Sequence, residues 1–278
     1  MAKVIVVTNF SDSSRNALDY TCAFLRNSNT NVLLLNIFNF PGSLSYDGLA
    51  LASIGETIAD DQLLLQREYE WVRLNYPEIN IQSEMVSGAF MEELRAKALE
   101  DETAMIVMGS DGDFDNLLSW GVNIVDSFID LETPVLVIPA SVNFRSIQNI
   151  AFACDYCRKN IQFPVSMIRN FTQFTKAKLH IIHVAISTEI IDESSIERKN
   201  DLLQSLADLS PSYYEPAYEN VAAAIDNFID ENNIDILIVV PARHGIWHHF
   251  FQQSHSKELV CLNHIPVLSL HQGGSFLS

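Results

Sequence analysis

The residues best suited to chemistry lie in one stretch, 104–123, which reads AMIVMGSDGDFDNLLSWGVN. An apolar run breaks into glycines, and an amphipathic segment with a further glycine follows. A buried strand opening through a glycine turn into a helix is a common frame for a phosphate. The backbone can approach closely, and the helix start offers free N–H groups. Gly109, Gly112 and Gly121 would form that frame. The same turn carries Asp111, Asp113 and Asp115. A carboxylate about 4 Å from a phosphate costs about 1 kcal/mol in water and more when partly buried. A divalent cation would reverse that sign. The preferred reading places these acids at a helix N-terminus, facing solvent and complementing the helix dipole.

Other constellations are weaker. Cys154-x-x-Cys157 has the spacing of a redox or zinc motif, but no second pair completes a four-cysteine site. One buried and one turn cysteine is the expected arrangement. Six of the eight histidines fall between His244 and His271. His244 and His248 are four apart, yet Pro241 and Gly245 make the region a loop and H-E-x-x-H is missing, so no metal is expected. His183, on a predicted strand, reads as a core residue. Trp247, Phe250 and Phe251, like Tyr69 and Trp71, read as packing. The chain contains no G-x-S-x-G elbow, Walker A loop or G-x-G-x-x-G fingerprint. Adjacent acids such as Glu92-Glu93 and Asp60-Asp61 cannot converge as a catalytic pair. A non-enzymatic protein is the expectation.

These residues need elements to position them. Apolar runs at 3–9, 32–38, 79–86, 104–108 and 135–138 read as strands, separated by helices at about 14–27, 55–76, 87–102 and up to 130. After Pro139 the pattern starts again. Strands are predicted at 147–153, 178–185, 213–218, 234–240 and 266–270, with helices from Pro164 to 174 and at 189–209, 220–232 and 247–262. Pro216 marks 213–218 as an edge strand. Apolar strands alternating with helices imply a parallel sheet covered on both faces, an α/β doubly wound fold. Its ligands would lie beyond the carboxyl ends of the strands. The expected units are 1–142 and 143–278.

On these residues the chain resembles the universal stress protein family, in its tandem form, within the adenine-nucleotide alpha-hydrolase-like superfamily. The turn TNFSDSSRNAL at 8–18, the glycine stretch with Gly121, and the PVLVIP ending at 134–139 carry the resemblance. It implies two parallel five-stranded sheets of order 3-2-1-4-5, related by a pseudo-two-fold axis and paired through their fifth strands. It also implies an adenine-nucleotide site that some members use and others do not. An acid after the first strand would hold the nucleoside; the matching positions are Asn9 and Asp155. Ile37 and Val184 lie near the second-strand ends that would meet adenine. Gly109 and Gly112 match the first two phosphate glycines, and Gly121 the third after eight residues where the family has nine. Val122 stands where a hydroxyl would meet phosphate, with Asn123 as a substitute donor. In the second half Pro241 replaces the first glycine, Gly245 lies one place late, and Ser254, His255 and Ser256 match the hydroxyl region. Neither half has a complete set.

The bulk numbers exclude other classes. Net charge is −18, thirteen of it within residues 1–145, and no basic stripe exists. By charge alone, neither nucleic acid nor an anionic membrane is expected as a partner. No apolar run of 18 residues and no signal-peptide pattern is present, so a cytoplasmic protein is expected. The combined expectation is a cytoplasmic stress-response binding protein with degenerate nucleotide sites and weak or absent ATP binding. It would be an internal pseudo-dimer, with a protein partner or a second copy as further contacts. The alternatives are an ATP switch with Mg2+ or Mn2+ and slow hydrolysis in one half, and an interaction module alone.

Overall fold

A computed structural model describes residues 2–39, 48–100, 103–111, 120–157, 161–184, 191–216, 221–241 and 264–271, with the side chains of 48–53 and 222 left aside. In the first half, β1 (Lys3–Thr8), α1 (Asp12–Leu25), β2 (Asn31–Phe38), α2 (Gly48–Asn75), β3 (Ile81–Ser87), α3 (Phe90–Glu100), β4 (Thr103–Ser110), α4 (Trp120–Asp130) and β5 (Val135–Pro139) follow one another. In the second half come β6 (Asn149–Ala153), α5 (Val165–Thr175), β7 (Lys178–Ile182), α6 (Glu193–Ser205), β8 (Ser212–Tyr214), α7 (Val221–Asn232), β9 (Ile236–Val239) and β10 (Val267–Ser269). The predicted helix at 247–262 lies outside the described residues.

The strands form one sheet of order β3-β2-β1-β4-β5-β10-β9-β6-β7-β8. Each half has the predicted order, and the two expected sheets are joined into a single ten-stranded one. All pairs are parallel except the central one, β5 with β10. There Leu136 faces Leu268, and Val135 and Val137 face Ser269 and Val267. The segments Pro134-Val135-Leu136 and Pro266-Val267-Leu268 are identical, so this register is what a two-fold axis between the two leucines requires. Ser269 Oγ adds contacts across the seam, accepting from Val135 N at 3.2 Å and donating to Val135 O at 3.3 Å.

Strand alternation sends side chains to two cores. Val4 and Val6 belong to one core that runs the length of the sheet and also holds Leu18 and Leu25 of α1, Leu65 and Val72 of α2, Phe171 of α5 and Leu202 of α6. Ile5 and Val7 belong to the core on the other face, with Leu94 of α3, Phe128 of α4 and Phe228 of α7. Helices thus cover both faces, which is why the inner strands β1, β4 and β5 are buried along almost their whole length. The halves also meet through helices: Phe24 of α1 lies 5.3 Å from Phe174 of α5, ring centre to ring centre. Asn16 Nδ2 holds the connection after β5 by donating to Pro139 O and Val142 O at 3.0 and 2.9 Å.

Two local expectations change. Gly109 and Ser110 do not begin a turn; both continue β4, paired with Ile138 and Pro139. A buried apolar strand has no period that marks its end, so the glycine was read as the break. The helix expected from about residue 87 starts later: Ser87 ends β3, and α3 begins at Phe90.

Candidate functional site

The turn after β1 closes on itself. Thr8 is buried, and its Oγ1 accepts from Phe10 N at 3.0 Å and shares a hydrogen bond with Ser14 Oγ at 3.2 Å. Phe10 takes a left-handed conformation, φ 63°, to make this return. Ser11 caps α1, its Oγ accepting from Ser14 N at 3.2 Å. Asn9, exposed at the position of the nucleoside-holding acid, accepts from Ser11 N at 3.2 Å and from Ser11 Oγ at 2.6 Å. The side chain the resemblance would direct at a ligand is thus engaged in its own turn.

Gly109 has a packing reason to be glycine. A Cβ there would lie 2.0 Å from Ser13 O and 2.6 Å from Ser14 N, so β4 and the first turn of α1 touch backbone to backbone. Its carbonyl accepts from Trp120 Nε1 at 2.8 Å. Trp120, which sequence reasoning missed, stands edge-on to Phe90 with ring centres 5.5 Å apart. Gly121 is buried in the first turn of α4; Val122, Asn123 and Ile37 are half-buried. Asp111 is exposed, as a solvent-facing acid would be, whereas Gly112, Asp113 and Asp115 lie outside the described residues.

Two further residues of this half were also missed. Asn36, 5% exposed, donates from Nδ2 to Thr8 O at 2.9 Å, while its Oδ1 has no partner. Glu68, 6% exposed, shares the α2 stripe of Leu65 and Val72, and its Oε2 has no partner either. Burial pushes the Glu68 carboxyl above its ordinary range, against a hydrogen bond from Thr8 and the pull of the Arg15 guanidinium. A carboxyl raised in the folded state favours folding while protonated, below its unfolded value. That contribution is lost as pH rises through the folded value. Glu68→Gln should therefore stabilise the protein at pH 7 by about 1 kcal/mol or more. The gain should vanish near pH 4, where wild type is protonated too. Urea unfolding at the two pH values measures this.

In the second half, side chains tie the ends of β6, β7 and β8 together. The turn after β6 is Cys154-Asp155-Tyr156-Cys157, with Cys154, Asp155 and Tyr156 buried. The Tyr156 ring lies on His183, centre to centre 3.9 Å at 33°. Its hydroxyl donates to Glu215 Oε1 at 2.5 Å. Glu215 Oε2 accepts from Lys199 Nζ at 2.5 Å and from Tyr213 OH at 2.8 Å. Burial alone would raise the Glu215 carboxyl, but these donors outweigh it and hold it at about 2. His183 is fully buried, and its Nδ1–H donates to Cys154 O at 3.0 Å. Val184 beside it is buried. Arg198 Nε donates to Tyr156 O at 2.7 Å. His183 is thus the core histidine the sequence suggested. Gly245, Ser254, His255 and Ser256 lie outside the described residues, as do Trp247, Phe250 and Phe251.

The sequence-derived site residues do not converge on one site. β1 and β6 stand five strand spacings apart, about 24 Å. The antiparallel seam also points their carboxyl ends to opposite edges of the sheet. Among the described residues no group of three or more His, Cys, Asp or Glu is placed to hold a metal. Among them, too, no helix is long and apolar enough to cross a membrane.

A doubly wound sheet in two halves of the same strand order, joined by an antiparallel seam, defines the fold class. Residues 1–121 match the model of the universal stress protein family. The whole chain is similar in fold to a universal stress protein from Archaeoglobus fulgidus DSM 4304, at 16% identity over 98% of each chain, with a TM-score of 0.69. It is also similar to a putative universal stress protein from Pseudomonas aeruginosa UCBPP-PA14, at 13% identity over 97% of this chain and 92% of that one, with a TM-score of 0.51. No curated protein matches the sequence.

Proposed function

We infer that the chain is a non-enzymatic, cytoplasmic stress-response binding protein that works through protein contacts and holds ATP weakly or not at all. The observation that carries this reading is the turn after β6. Tyr156 is 1% exposed, lies on His183 and is hydrogen-bonded to Glu215, so the protein's own side chains occupy the space between these strand ends. The first half supports it too, because Asn9 and the hydroxyls of Ser11 and Ser14 satisfy the start of α1 from within. The buried Glu68 beside them would repel a phosphate when ionised.

A second reading, an adenine-nucleotide switch in the first half, is favoured by one observation. Asn36 Oδ1 and Glu68 Oε2 are buried acceptors without a donor. A ligand bringing an amino group would satisfy them.

Titration calorimetry with ATP and Mg2+ separates the readings. The first predicts no measurable heat at millimolar ATP. A micromolar Kd would overturn it; at 100 times Kd such binding would raise stability by about 2.7 kcal/mol.

A further inference from the structure

Cys157 and His183 form a pair that neither the family nor the proposed function accounts for. Cys157 Sγ lies 4.0 Å from His183 Nε2, within the longer reach of a sulfur hydrogen bond. A carbonyl oxygen can only accept, so the 3.0 Å contact to Cys154 O requires a proton on Nδ1. In the neutral ring Nε2 is then the bare nitrogen, and it faces the thiol. The ring cannot turn away: it is fully buried beneath Tyr156. This is the arrangement of an activated nucleophile, with thiol, base, and a third group orienting the base.

The other described cysteines provide a contrast. Cys22 and Cys154 are buried, and burial pushes the Cys22 thiol up to about 12 and Cys154 upward as well. Cys157 is half-buried and in a turn. Among the described residues, the charged groups near the pair are Arg198 and Lys199 of α6, Glu215 after β8 and Asp155 in the turn; Arg158 and Lys159, next in the sequence, lie outside them. Arg198 holds the turn by donating to Tyr156 O at 2.7 Å and to Cys157 O at 3.5 Å. Lys199 is paired with Glu215.

We propose that Cys157 is a histidine-activated thiol and a modification site for hydroperoxides. The thiol proton passes to His183 Nε2. The thiolate sulfur attacks the terminal peroxide oxygen, and the O–O bond breaks. Sulfur is oxidised by two electrons to a sulfenic acid. The leaving alkoxide or hydroxide takes the proton from Nε2 and departs as alcohol or water. The products are one sulfenic acid and one alcohol or water for each thiol and hydroperoxide consumed.

The test is alkylation of the full chain by iodoacetamide across pH 5.5–9.5, with each cysteine followed by peptide mass spectrometry. Cys157 should react with a midpoint well below the ordinary thiol value of about 8.5. His183→Gln should slow its reaction at pH 7 by about tenfold and move the midpoint back to that value. A wild-type midpoint at or above about 8.5 overturns the proposal, as does a His183→Gln profile that matches wild type. The buried Cys22 and Cys154 report on folding in the same experiment, since both become reactive if the variant unfolds. In that event the wild-type profile alone decides. Hydrogen peroxide followed by a sulfenic-acid probe should label Cys157 first, and labelling confined to other cysteines would also count against it.

Discussion

Gly109→Ala is expected to destabilise the protein by about 3 kcal/mol or more, a large share of the 5–15 kcal/mol typical of a domain. The added Cβ would fall 2.0 Å from Ser13 O and 2.6 Å from Ser14 N. Both are backbone atoms at the start of α1, so no side chain can swing aside. Relief requires α1 to move off β4, and the Thr8–Ser14 turn moves with it. Gly55→Ala is the control. Nothing lies within 4 Å of its Cβ, on an exposed position of α2. There alanine should stabilise by about 0.5–1 kcal/mol, through helix propensity alone. Denaturant unfolding of both variants gives the two signs. A Gly109→Ala protein as stable as wild type would mean that β4 and α1 are not in backbone contact.

Tyr156→Ala should cost about 3–5 kcal/mol. The ring is almost wholly buried on His183, and its removal leaves a cavity as well as an unpaired Glu215 oxygen. Tyr156→Phe separates these effects. It keeps the ring and removes only the hydroxyl donor, while Lys199 and Tyr213 still reach Glu215. A loss of about 1.5–3 kcal/mol is expected, as for a hydrogen bond to a charged acceptor. Urea unfolding at pH 7 should rank wild type above Tyr156→Phe and Tyr156→Ala last. Equal stability of all three would remove the claim that this ring fills and holds the second-half crevice.

The architecture was legible because it rests on periodicity. Apolar strands alternating with helices implied a doubly wound sheet, and the family resemblance supplied the pairing of the fifth strands that the seam shows. Pro216 rightly marked the neighbouring strand as an edge: β8 is the last in the sheet. The site was legible only in part. Asn9 and Asp155 were named by position from the resemblance, but whether a side chain faces a ligand or its own turn depends on contacts no local pattern encodes. Tyr156 and Glu215 are 59 residues apart and meet only once β6, β7 and β8 are aligned. Glu68 escaped notice because a single acid in a charged helix looks solvated. Only its spacing from Leu65 and Val72 places it on the buried stripe. The end of β4 was placed at Gly109 because a strand's end cannot be read from composition; the glycine continues the strand and lies close against α1.

The central claim is that the protein's own side chains close both strand-end crevices to nucleotide. Amide hydrogen exchange tests it most directly, read at residues 8–14 and 154–157 with and without millimolar ATP and Mg2+. Unchanged exchange at both turns is the predicted result; slowed exchange at either one would contradict the account and identify the half that binds.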